Sequence, residues 1–292
     1  MTWSRFSIFS WVPESGFSLV RSVSFGVLAF IAAANAVAAE ISEKQAEKLL
    51  KVSGYWQGVE NLLQMFQRDI YLERLTAPDE ALDEHEIKIY LRGLKFEFFR
   101  LRLVDAVRKG LSAAEVRALT AAYSQAAVAN IIAAERNGGA GIERGEQAAY
   151  LDMLARKPID RKRRDLLRRL DDASFITDRS IHLTVTMARA RARSILEFRD
   201  KWDEQSQQKL EYGMNRLRDS LTQNTWKQVL LRIYYLYRDI SDDDLERYIG
   251  LLEDQQHKKM TLLLADAIAD VVAGGVRQGM KSLLDYRAKS ET

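Results

Sequence analysis

Residues 241–264 read SDDDLERYIGLLEDQQHKKMTLLL, and residues 112–135 read SAAEVRALTAAYSQAAVANIIAAE. Each opens on a serine followed three residues later by an acidic residue, the pattern of a helix N-cap. In both, the cap places negative charge on the positive end of the helix dipole. Beyond the cap, Val116, Leu119, Tyr123, Ile131 and Ala134 lie on one face at helical spacing. Leu245, Tyr248, Leu252, Met260 and Leu263 do the same, each 129 residues later. A shared cap and apolar stripe at a fixed offset predict an all-α fold of two related multi-helix halves, packed as a bundle or array.

A third cap, Ser42-Glu43-Lys44-Gln45, opens an earlier helix, and Leu49-Leu50 and Leu166-Leu167 each begin an apolar helical stretch that weakly echoes the same repetition. Asn137-Gly138-Gly139-Ala140-Gly141 supplies helix-stop and loop residues, and Pro158 breaks any helix through 150–156, so the boundary between halves falls in 137–160. The expected organisation is a signal segment at 1–39, a first helical repeat at 40–156 and a second at 157–292. One stretch carries a strand-like alternation: Leu94, Phe96 and Phe98, then Phe99, Leu101 and Leu103. With no hairpin turn and no second alternating run beside it, it reads as helix.

Composition agrees. Only 3 prolines and 15 glycines occur in 292 residues, too few turn formers for a β-sandwich or barrel. Apolar residues at 47% and charged residues at 29% fit a globular chain with a core rather than disorder. Basic and acidic residues nearly cancel, 44 against 41, which argues against a nucleic-acid binder by bulk charge. The absence of cysteine excludes disulfides, thiol nucleophiles, cysteine-ligated zinc and a lipoprotein anchor.

Residues 1–39 have the three parts of an export signal. Arg5 and Arg21 precede an apolar run at 23–34, and Ala36-Val37-Ala38 forms an A-x-A site that would start the mature chain near Glu40. The run is shorter than the roughly 20 residues that span a bilayer. The segment is expected to direct the protein to a periplasm-type compartment by cleavage, or to tether it to the membrane if uncleaved.

The stretch Tyr237-Arg238-Asp239-Ile240-Ser241, continued by Leu245, Tyr248-Ile249 and Leu251-Leu252-Glu253, resembles the domain of unknown function 2059 family. So does Leu49-Leu50-Lys51-Val52-Ser53-Gly54. The resemblance implies an exported, all-helical bacterial protein in which the unit is often duplicated, and it brings no activity and no catalytic residues. Where that family usually shows Ser-Pro-x-Gly, this chain has Asp254, Gln255, Gln256 and His257.

No catalytic or metal signature emerges. His85, His182 and His257 share no ligand spacing, and His85 lies in an acidic run that reads as solvated surface. Asp242, Asp243 and Asp244 lack the spacing of a calcium loop and read as a cap. Gly138, Gly139 and Gly141 lack the Lys-Ser/Thr of a phosphate loop. Gly275 and Gly279 form a GxxxG that reads as close packing or a C-terminal fray. The serines have no G-x-S-x-G context, and no carboxylate pair stands out among so many. No cofactor or metal is expected.

Two clusters do stand out. Arg161, Lys162, Arg163, Arg164, Arg168 and Arg169 form a candidate contact for an anionic surface such as lipid headgroups, or an ion-paired helix face. Trp226, Tyr234, Tyr235 and Tyr237 form a candidate partner groove, or lie in a helix at the centre of the core. The expected function is a binding or envelope-interaction module whose partner is a protein or envelope component, with peripheral contact to anionic lipid and no nucleic acid. An envelope-associated hydrolase with a carboxylate site is the alternative.

Overall fold

The structure is a computed structural model and describes residues 40–76, 82–139, 149–150, 152–154, 156 and 159–290. The expected export segment, the central part of the expected boundary loop and Pro158 lie outside the described residues. Glu40–Thr292 forms one compact unit. Its elements are α1 (Glu43–Val52), α2 (Tyr55–Thr76), α3 (Glu84–Leu91), α4 (Phe96–Gly110), α5 (Ala113–Tyr123), α6 (Ala126–Gly139), α7 (Arg161–Ser174), α8 (Ile176–Phe198), α9 (Glu204–Leu236), α10 (Asp242–Leu252) and α11 (Gln255–Ser290). The fold is all-α, with no strand among the described residues. No described helix is long and apolar enough to cross a membrane.

The caps form as the sequence dictates. Ser42, Ser112 and Ser241 each accept from the backbone N–H three residues on, and Gln45 and Glu115 reach back to complete capping boxes. The alternating stretch is helical from Phe96 on, with Leu94 buried in the turn before α4, because only part of the alternation is used. Phe99, Leu103 and Val107 are buried at i, i+4 and i+8, whereas Phe98 and Leu101 are 41% and 56% exposed.

The helices pair in a recurring scheme. α1 packs on α2, α4 and α5, and α7 packs on α8, α9 and α10. α6 lies on α2 and α5, and α11 lies on α8 and α10. The last helix of each set also crosses over: α11 covers α3, α4 and α5, while α6 touches α9 and α10. α3 and α4 together stand where the single long α9 stands in the second set.

The junctions match as well. Ser53 and Ser174, 121 residues apart, are both buried, and each hydroxyl donates to the carbonyl four residues back, Leu49 or Leu170. The next residue in each case, Gly54 or Phe175, is left-handed, with φ of 79° and 55°. That residue lets one helix end and the next start at once. Leu49 therefore corresponds to Leu170, rather than to Leu166 as the leucine pairs alone suggested.

Glycine sets the closest helix approach. A Cβ on Gly275 would strike the carbonyl oxygen of Gly93 and come within 2.6 Å of Leu94 Cδ2. A Cβ on Gly279 would strike the carbonyl oxygen of Tyr90. The GxxxG of α11 is thus the seam on which the α3–α4 corner rests, and Val272, Val276 and Met280 are buried along it. Nearby, Glu86 accepts both nitrogens of Arg287 at 2.6 and 3.1 Å, tying the start of α3 to the end of α11.

Candidate functional site

A chamber of about 380 Å³ opens where the two helix junctions meet, within the range of about 300–1,000 Å³ usual for small-molecule sites. Ser53, Gly54, Tyr55 and Gly58 reach it from one side, and Ser174, Ile176, Arg179 and Ser180 from the other. At the 121-residue offset, Arg179 is the counterpart of Gly58. A Cβ on Gly58 would meet nothing within 4 Å, so one junction brings a long cationic side chain and the other leaves room for it.

The far wall is a tyrosine cage from α5, α6 and α9–α11. Glu135 accepts from the hydroxyls of Tyr237, at 2.5 Å, and Tyr248, at 3.1 Å, both on the same oxygen. Burial raises the Glu135 carboxyl above its ordinary range, against the lowering pull of the two hydroxyls and of Arg179. Tyr123 Oη stands 2.6 Å from His257 Nδ1, and Thr261 Oγ1 stands 3.0 Å from Nε2, so both ring nitrogens are engaged. Burial, and then the charge of Arg179, hold His257 down at about 4, so the ring is neutral at pH 7. Burial likewise pushes the phenols of Tyr123, Tyr237 and Tyr248 well above their ordinary value.

Arg179 lines the same chamber, and its charge favours the ionised form of Tyr123, Glu135 and Tyr237 and the neutral form of His257. Arg232 lines the same chamber, with its guanidinium lowered by burial and by the like charge of Arg68. Neither Arg179 nor Arg232 has an ion-pair partner among the described residues. Val229, Ile233 and Leu236 supply apolar wall.

The basic cluster of α7 is placed differently. Arg163, only 13% exposed in its side chain, donates to Asp242 at 2.6 Å and to the Tyr237 carbonyl. Arg169 makes a two-pronged pair with Glu253 at 2.7 and 2.6 Å, which lowers that carboxyl. Lys162 lies 3.9 Å from Asp242, and Arg161 is 3.8 Å from Asp165. Arg164 and Arg168 stay exposed, without an ion pair among the described residues. The cluster therefore divides into cations that clamp α7 to α10 and a remaining exposed stripe of Arg161, Arg164 and Arg168.

The aromatic cluster also divides. Tyr237 lines the chamber, whereas Tyr235 packs edge-on against Tyr150 at 5.4 Å under the Arg238 guanidinium. Tyr234 is half-buried, and its carbonyl accepts from Tyr150. Trp226 is 39% exposed. These four side chains do not share one groove. The sequence reading missed Arg179, Arg232 and Glu135, which sit on three separate helices and join only in the folded chain. Asp242, Asp243 and Asp244 serve the N-terminus of α10, and no metal-ligating cluster occurs among the described residues.

The chain matches no family model, no curated protein and no solved structure.

Proposed function

We propose that the protein is an exported binding module that holds a small organic anion, a carboxylate or phosphate ester, in the central chamber. The observation that carries this reading is Arg179: a cation inside a tyrosine-walled cavity with no ion-pair partner among the described residues. A half-buried guanidinium without an ion-pair partner gains most when a planar anion accepts its paired N–H groups. Arg232 adds a second cation, and the Tyr55 hydroxyl, whose oxygen is not used by the cage, adds a donor suited to anionic oxygens. The same residues favour a binder over the alternative carboxylate hydrolase, because Glu135 is the one carboxylate among the described lining residues and two phenols already donate to it, so no acid–base pair faces the chamber.

The periplasm-type location rests on the signal-like pattern of residues 1–39, and the compact helical unit begins at Glu40, where the mature chain would start. Membership in the domain of unknown function 2059 family rests on the short motifs around Leu49 and Tyr237 alone. The exposed stripe of Arg161, Arg164 and Arg168 supports peripheral contact with anionic lipid at the envelope.

The test is a thermal-shift screen of small carboxylates and phosphate esters against the full chain. A ligand at about 100 times its Kd adds about 2.7 kcal/mol of stability, which is readily seen. The shift is expected to vanish in Gly58→Trp, which fills the chamber, and in Arg179→Gln. A ligand that shifts wild type and both variants equally would place its site elsewhere and refute the reading.

A further inference from the structure

A second cavity, separate in chemistry from the chamber, lies between α2, α3, α8 and α11 and encloses about 550 Å³. Its interior is apolar: Met65, Phe66, Ile70, Met187, Ile195 and Leu284 are among its walls. Methionine is unbranched and polarisable, so such walls adapt to a flexible chain. Among the described residues its charged lining is three exposed arginines at the rim. Arg191 and Arg199 come from one helix and Arg287 from another.

The three rim arginines are not equivalent. Arg287 is committed to Glu86 in a two-pronged pair. Arg199, at the end of α8, is exposed and has no ion-pair partner among the described residues. The space thus combines a partly open apolar interior with one uncommitted guanidinium at its mouth. An apolar space of this volume with a single free cation among the described residues suits a long apolar tail ending in a single negative charge. We infer that this groove binds one long-chain fatty acid, its carboxylate at Arg199 and its alkyl chain between α2, α8 and α11.

Burying each methylene is worth about fourfold in affinity, so chain length is the sharpest readout. The probe is cis-parinaric acid, a fluorescent fatty acid, mixed with the full chain and displaced by palmitate, dodecanoate, octanoate, hexadecanol or hexadecyl phosphate. Binding is expected to weaken steeply from palmitate to octanoate. Removing the charge, in hexadecanol, or reversing the rim cation, in Arg199→Glu, is expected to cost at least about tenfold. Met187→Trp fills the groove while staying apolar, so it keeps the fold and abolishes binding. Circular dichroism checks that it is folded, and Met187→Phe replaces it if it is not. Arg179→Gln, in the chamber, leaves parinarate binding unchanged, which separates this site from the first. Absence of a fluorescence gain on mixing, equal binding by hexadecanol and palmitate, tighter binding of hexadecyl phosphate than palmitate, or unchanged binding by folded Met187→Trp would each overturn the assignment.

Discussion

Gly274 and Gly275 are neighbours in α11, and replacing each by alanine should move stability in opposite directions. At Gly274 an added Cβ meets nothing within 4 Å, so the change only removes backbone freedom from the unfolded chain. That stabilises a helix interior by about 0.5–1 kcal/mol. At Gly275 the same methyl group meets backbone: the Gly93 carbonyl oxygen, with its carbonyl carbon at 3.0 Å, and Leu94 Cδ2 at 2.6 Å. Backbone cannot rotate away as a side-chain tip can, so α11 must withdraw from the α3–α4 corner. A withdrawal of about 0.5–1 Å already forfeits a quarter to a half of the dispersion attraction across that contact. Overpacking of this kind costs about 1–3 kcal/mol, and here it belongs at the upper end because Val272 and Val276 are fully buried along the same seam. After the helix-propensity gain, about 2 kcal/mol of destabilisation remains. For a unit of this size that lowers Tm by about 4–8 °C, while Gly274→Ala raises it by about 1–4 °C. Thermal melts followed by circular dichroism, with urea midpoints as a second measure, read both. If the two variants shift with the same sign, the glycine seam does not set the packing of α11.

Two further outcomes concern the chamber wall and the α7 clamp. His257 is held at about 4 in the folded protein, against about 6.5 in the unfolded chain, so the unfolded state takes up the proton first. Stability from this group is full above pH 6.5 and is lost as pH falls toward 4, on the order of 3 kcal/mol in all. Glu135 works in the opposite sense, since its raised pKa makes stability fall as pH rises through it; urea melts of His257→Gln in a Glu135→Gln background isolate the histidine, and an acid limb identical with and without His257 would contradict its neutral burial. Arg163→Ala strips partners from Asp242 and the Tyr237 carbonyl and should cost about 2–3 kcal/mol, whereas Arg164→Ala and Arg168→Ala stay within about 0.5 kcal/mol. Equal losses across the three, measured by urea midpoint, would mean that charge density rather than the specific clamp matters.

The helices were legible because their signals are local. Ser112 and Glu115 sit three residues apart, and the stripe from Val116 to Tyr123 is covered by neighbours at helical spacing. The matching of the two sets was legible only downstream. There the offset is 129 residues, whereas at the Ser53 and Ser174 junctions it is 121, because α3 and α4 replace the one long α9. Phe175 hid the second junction further: glycine at 54 advertises a left-handed turn, but phenylalanine in the same conformation gives no such sign. The basic cluster showed its charge and not its partners, since Asp242 and Glu253 lie 79 and 84 residues from Arg163 and Arg169. The chamber escaped for the same reason. A single arginine, a single glutamate and a few tyrosines on different helices have no spacing to detect until packing brings them together.

The crossing of α6 and α11 has a consequence for how the chain can be divided. Severed between its halves, the first fragment would lose the cover that α11 gives α3, α4 and α5, glycine seam included, and the second would lose the contact of α6 on α9 and α10. Neither half carries all of its own packing. Joining them in one chain makes the exchange intramolecular, and folding then no longer depends on protein concentration.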